Sequence, residues 1–216
     1  MKRTNLIIHE LRAHAPFTAV GTLAGIALLL GLVKLGVTEE TSHGLFAVLH
    51  PLHVLLSAQA TAATFRRAGG SGFWRILAVA YFGGVAIGTV SDSLIPFLGE
   101  WLLGLPNAHV HVGFIEEWWL VNPAAILGIA LGAWKAKIRM PHALHVWVST
   151  GASLFHVAMA MAGVPSAAVL GGLAVFLFLS VWLPCCTSDI VFPLLFAPNK
   201  DAGAGCGCGH GHDHGH

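Results

Sequence analysis

His50-Pro51-Leu52-His53-Val54-Leu55-Leu56-Ser57-Ala58-Gln59-Ala60-Thr61 and His142-Ala143-Leu144-His145-Val146-Trp147-Val148-Ser149-Thr150-Gly151-Ala152-Ser153 share one pattern, H-x-L-H-V-x-x-S-x-x-A-[TS]. A second word follows each of them. Ser91-Asp92-Ser93-Leu94-Ile95-Pro96-Phe97-Leu98 and Ser188-Asp189-Ile190-Val191-Phe192-Pro193-Leu194-Leu195 both read S-D-x-x-x-P-x-L, and a weaker echo (Gly25-Ile26-Ala27-Leu28 against Gly128-Ile129-Ala130-Leu131) precedes each pair. Matches among Leu, Ala and Val arise by composition alone, whereas His and Asp are expensive in lipid and seldom coincide by chance. Repeats decide architecture, so the chain is read as a duplication.

Of the 216 residues, 56% are hydrophobic and 10% charged, and the mean hydropathy is +0.75. Soluble domains carry about 25% charged residues, so the expected class is an all-α integral membrane protein without a separate soluble domain. A bilayer crossing needs about 20 apolar residues. Six segments qualify, at roughly 16–37, 44–65, 73–98, 118–136, 142–163 and 166–196. Pro96 and Pro193 should kink or break the third and sixth. Lys2, Arg3 and Arg12 lead straight into the first span without a small-residue cleavage pattern, which argues for a short basic anchor over a cleaved signal peptide.

Basic residues mark cytoplasmic loops. They precede span one, lie between spans two and three (Arg66, Arg67, Arg75) and four and five (Lys135, Lys137, Arg139), and follow span six (Lys200). The other loops are acidic or neutral, with Glu39, Glu40, Glu100, Glu116 and Glu117, and Lys34 is the exception. Both termini are therefore expected in the cytoplasm. Three spans per unit then make the second copy inverted, a common plan for secondary transporters, with the substrate near the midplane beside broken helices. The expected organisation is a basic N-terminus (1–15), a first three-helix repeat (16–112), an inverted second repeat (113–197) and a tail (198–216).

Residues three, four and seven apart share a helix face. His53, Ser57, Ala60 and Thr64 form one polar stripe with His50 beside it. His142, His145, Ser149, Ser153 and His156 form its counterpart. Such faces turn toward the bundle interior. Imidazole, carboxylate and thiolate together are ligands for divalent transition metals. One expected set is His50, His53 and Asp92, and its partner is His142, His145 and Asp189, made softer by Cys185 and Cys186, whose counterparts lie near Gly88 and Thr89. Each residue has a plainer use: a histidine pair can bond a neighbouring helix, an aspartate can cap a broken one, and cysteines can simply pack. The matched set as a whole is what points to a site.

The tail alternates ligand and glycine, Cys206-Gly207-Cys208-Gly209-His210-Gly211-His212-Asp213-His214-Gly215-His216. Such a tract packs no core but can wrap metal, and its interleaved Cys, Asp and Gly distinguish it from an added purification tag. In a reducing cytoplasm Cys206 and Cys208 stay as thiols, and two adjacent bundle cysteines supply no disulfide framework. An outer cluster of Glu39, Glu40, His43, His109, His111, Glu116 and Glu117 could attract cations or be mere solvated surface. Trp101, Trp118 and Trp119 suit the interface. The spacings Gly21/Gly25, Gly84/Gly88 and Gly128/Gly132 allow close helix approach, first within the chain and second as a homodimer seam.

These features imply a multi-pass inner-membrane transporter, permease or exporter, that carries a divalent or soft transition-metal ion (zinc, nickel, cobalt, copper or iron) by alternating access. Metal binding displaces protons, so proton coupling follows naturally. In general features the chain resembles small bacterial metal permeases with His-rich termini, and this resemblance assigns no residue a role. Two alternatives come from other classes: a membrane metalloenzyme with a dinuclear His/Asp site, and a thiol or haem electron carrier. No phosphate loop, serine triad or nucleic-acid patch is present. The expected partners are the metal, the bilayer and a soluble metallochaperone at the tail.

Overall fold

The computed structural model describes residues 3–134 and 142–198, and the chain is all helix, with no strand among the described residues. Their architecture rests on α1 (Arg3–Lys34), α2 (Glu39–Arg67), α3 (Phe73–Leu102), α4 (Trp118–Trp134), α5 (His142–Met159) and α6 (Ala167–Phe196). A single helical turn, Gly113–Glu116, precedes α4. Within α1 the stretch His14–Lys34, and the whole of α2, α3 and α6, are long and apolar enough to cross a membrane. Helix α4 is apolar but shorter, and α5 is thinned in hydropathy by its histidines and hydroxyls.

Local chemistry sets several boundaries. Thr38 caps α2 by accepting the Thr41 amide at 3.2 Å, while Glu39 and Glu40 in the first turn and Arg66 and Arg67 in the last complement the helix dipole. Ser166 caps α6 through the Val169 amide. Gly36, at φ 69, turns the chain from α1 into α2, a conformation that glycine adopts without steric cost.

Helix α2 lies at the centre, against α3, α4, α5 and the end of α6, and α1 packs on α5 and α6. Small residues set the closest approach. A Cβ on Gly128 would meet the Leu55 carbonyl oxygen and one on Gly132 that of Gln59, so α4 lies backbone to backbone on α2. Gly84 likewise meets Ala58, while Gly21 and Gly25 meet Thr150 and Leu177. All three glycine pairs are thus used inside the chain. Polarity is inside out relative to a soluble domain: Phe17, Leu23, Trp118, Trp147 and Val175 face outward, while Ser57, Thr61, Ser91, Asp92, Ser149, Ser153 and Ser180 are buried.

Three expectations are corrected. Helix α1 begins at Arg3 and runs through Pro16, so the stretch before residue 16 continues the first helix. Pro96 and Pro193 do not break α3 or α6. A proline ring crowds the carbonyl four residues back, and in both helices a widened π-helical segment lies just upstream of the proline, Val90–Leu94 and Thr187–Val191, with a further one in α3 at Phe82–Ala86. Glu100, read as a loop acid, lies inside α3 and is fully buried.

Candidate metal centre

The two widened segments just upstream of the prolines carry the two Ser-Asp words. They stand 97 residues apart, as do Asp92 and Asp189. Wide turns of this kind are frequent at functional sites because they re-aim side chains without ending the helix.

Around them the buried hydrogen bonds occur in matched pairs. The Ser91 hydroxyl donates to the Ser180 carbonyl at 2.7 Å, and that of Ser188 donates to the Gly83 carbonyl at 3.0 Å. Ser149 meets Ser91 at 3.1 Å, as Ser57 meets Ser188 at 2.5 Å. The Ser153 hydroxyl reaches the Ser91 carbonyl at 3.2 Å, and Thr61 reaches that of Ser188 at 3.0 Å. In every case the partners of one set are those of the other moved by 92 residues in the histidine word or 97 in the aspartate region. Each histidine word therefore bonds the Ser of the other half's Ser-Asp word, while its imidazole turns to the aspartate of its own half.

Asp92 Oδ2 accepts from His53 Nδ1 at 2.7 Å and from His50 Nδ1 at 2.9 Å, and Asp189 Oδ2 accepts from His145 Nδ1 at 2.8 Å. A carboxylate on Nδ1 fixes the tautomer and presents the other ring nitrogen to a ligand, the arrangement commonly found behind metal-binding histidines. His53, His145 and Cys185 each offer one ligand atom, all within 4.8 Å of one another and all buried. The two rings lie 4.9 Å apart, and Cys185 Sγ is 3.9 Å from His53 Nε2. Ligands at about 2.05 Å (N) and 2.3 Å (S) across a tetrahedral angle would stand about 3.6 Å apart, so the Cys185–His53 pair, at 3.9 Å, is already close to the spacing an ion would impose. His53 is the midpoint of α2, 14 residues from Glu39 and from Arg67, hence about 21 Å from either end. Ser149 lies 3.6 Å from the Cys185 sulfur and 3.5 Å from Asp92 Oδ1, tying the thiol to the carboxylate.

The two expected ligand sets are thus joined: each half contributes one imidazole to a shared trio, and the aspartates stand behind them. His50 joins through Asp92, and its Nε2 is buried without a partner. Cys186 is buried but outside the trio. His142 opens α5, and its side chain lies outside the described residues, as do the tail ligands Cys206, Cys208, His210, His212, His214 and His216. His156 lies outside the trio. It lies under the loop after α3, where its Nδ1 bonds Glu100 Oε1 at 2.8 Å and its Nε2 accepts the His111 amide at 3.3 Å.

Sequence reasoning missed this Glu100–His156 pair, both members of which are buried. The available signal was spacing: Glu100 lies eight residues after Asp92, on the same stripe of one unbroken helix. No protein-family model, curated protein or solved structure matches the chain.

Proposed function

We propose that the protein is a membrane transporter of a divalent or soft transition-metal ion, and that the ion rests on His53, His145 and Cys185 as it crosses. The observation that carries this reading is the convergence of two carboxylate-backed imidazoles and a thiol at the middle of a dry helical bundle. Unpaired polar groups are costly there, and a nitrogen–sulfur donor set suits thiophilic or borderline metals. The metal is the cargo: it would shed water onto these ligands and displace the thiol proton.

The topology we infer has six spans as two inverted three-helix halves with both termini in the cytoplasm, in the inner membrane. The basic loops support the orientation. The paired hydrogen bonds, repeated at offsets of 92 and 97 residues, support the inverted duplication. Alternating access would rock one half against the other about the Ser57–Ser188 and Ser149–Ser91 contacts, with the π-helical turns as the adjustable joints. The cytoplasmic tail would receive or buffer the ion, with a metallochaperone as the candidate partner.

The test is flux into proteoliposomes loaded with a metal-sensitive dye, across the divalent series. Cys185→Ser and His53→Ala should abolish flux, while Cys186→Ser should keep it. A membrane metalloenzyme is the reading that replaces this one if stoichiometric metal binds the trio and no flux occurs. The haem carrier gains no support from the geometry, because the His53 and His145 rings are in direct contact rather than facing across a slot.

A further inference from the structure

Resting on that reading of a transported ion, we propose that His43, His111 and Glu116 form a second transition-metal site at the mouth of the bundle, from which the buried trio is loaded. The ligand class is a borderline divalent ion such as Zn²⁺, Co²⁺ or Ni²⁺, since two imidazoles and a carboxylate suit these ions better than Mg²⁺ or Ca²⁺.

The three residues come from separate places: His43 from the start of α2, His111 from the loop after α3, and Glu116 from the turn before α4. Their ligand atoms nevertheless lie within 4.8 Å of one another. Glu116 Oε2 is 3.2 Å from His111 Nδ1 and 3.7 Å from His43 Nε2. Nitrogen and oxygen ligands on one tetrahedral ion stand about 3.4 Å apart, a value these two distances bracket. Glu117 Oε1, 3.8 Å from His43 Nε2, is placed to complete the set.

The site is also held in shape. Glu116 Oε1 accepts the Val112 amide at 3.2 Å, which orients the carboxylate. Partial burial alone would raise the Glu116 carboxyl, but the bonds from His111 and Val112 outweigh it and hold the group below its ordinary range. The His111 amide is pinned from beneath by the buried His156–Glu100 pair. An idle solvated loop has no need of an ionisable pair sunk into the bundle to fix one backbone amide. From here a column of rings leads inward: His111 to His156 at 5.7 Å, His156 to Phe46 at 5.6 Å, and Phe46 stacked on His50 at 5.3 Å. His50 bonds Asp92, which holds His53. The donor set softens along this line, from two nitrogens and an oxygen at the mouth to two nitrogens and a sulfur inside, so a borderline ion is accepted at the first and retained at the second.

The experiment is equilibrium dialysis of the full-length chain in detergent against Co²⁺, with the tail ligands replaced (Cys206→Ser, Cys208→Ser, and His210, His212, His214 and His216→Ala). Bound cobalt is counted, and the thiolate-to-cobalt charge-transfer band reports on Cys185. The double variant His43→Ala/His111→Ala should bind one cobalt fewer with the thiolate band unchanged, which also shows that the bundle is folded. Cys185→Ser should lose the band and keep the mouth ion. Cobalt stoichiometry unchanged in the double variant overturns the proposal, as does loss of both ions together. Absent flux with both ions bound would instead sink the transport reading and leave the mouth site standing.

Discussion

Asp92→Asn preserves the shape of a buried side chain and deletes its charge, which makes it the most discriminating single change. Asp92 Oδ2 takes Nδ1–H from both His50 and His53, at 2.9 and 2.7 Å, and the residue is fully buried. An asparagine carbonyl can occupy the same place and accept both bonds, so the fold should hold. What disappears is the negative charge that strengthens His53 as a donor. Loss of such a carboxylate behind a metal-binding histidine weakens affinity about 10- to 100-fold, or about 1.4–2.7 kcal/mol. Asp92→Ala acts differently, because it strands two buried N–H donors at about 1–3 kcal/mol each. The resulting loss of about 2–6 kcal/mol is a large share of the stability of an ordinary domain. The assay is Co²⁺ competition against a chelator of known Kd, read at the thiolate band, with thermal unfolding in the same detergent. We expect Asp92→Asn to bind 10- to 100-fold more weakly with a Tm near the parent's, and Asp92→Ala to melt well below it. A folded Asp92→Asn that binds within twofold of the parent would refute the role of the carboxylate behind a metal ligand.

Ser91→Ala and Ser188→Ala each delete one member of a matched pair of bonds to a neighbouring helix carbonyl. Each should lower stability by about 1 kcal/mol, and a loss confined to one of them in thermal unfolding would contradict the equivalence of the two halves. Gly128→Ala drives a Cβ into the Leu55 carbonyl oxygen, which cannot rotate away; the expected cost is about 1–3 kcal/mol or more, seen as a lower Tm, and an unchanged Tm would show that α4 does not press on α2 as described. Because Glu116 has a depressed folded-state pKa, its contribution to the loop is present above the ordinary glutamate value of 4.5 and is lost only as pH falls through the lower folded value. Hydrogen exchange at the Val112 amide should therefore stay protected below pH 4.5, with His43, His111 and Glu117 as the neighbouring titrating groups; early loss of protection at higher pH would contradict the assignment.

Legibility differed from residue to residue. His53, His145, Asp92 and Asp189 stood out because polar groups are costly in lipid and their spacing repeats, so both position and pairing could be read before any fold was known. Thr61 and Ser153 closed the repeated word, and both serve as cross-half donors. Ala60, placed on the polar stripe by its spacing, is only partly buried and makes no such bond. Pro96 and Pro193 were read as kinks or breaks because a proline lacks an N–H. The helices run on through both, each with a widened turn just upstream, and such a turn leaves no mark in composition. Glu100 was assigned to a loop because one acid near a span end is ordinarily solvated; its interior partner, His156, lies 56 residues away in sequence and becomes a neighbour only in the folded bundle.

The sequence by itself determined that this is an all-helical chain with membrane-length apolar helices and a repeated polar vocabulary. Those properties follow from hydropathy and period, which are local. Only the tertiary structure decided that one imidazole from each half meets Cys185, that the aspartates stand behind the imidazoles, and that a buried Glu–His pair supports a loop histidine at the mouth. Each of these depends on which helix faces which across the bundle. That is fixed by the close backbone approaches at Gly84, Gly128 and Gly132 and by cross-half hydroxyl bonds, none of which any single helix encodes alone.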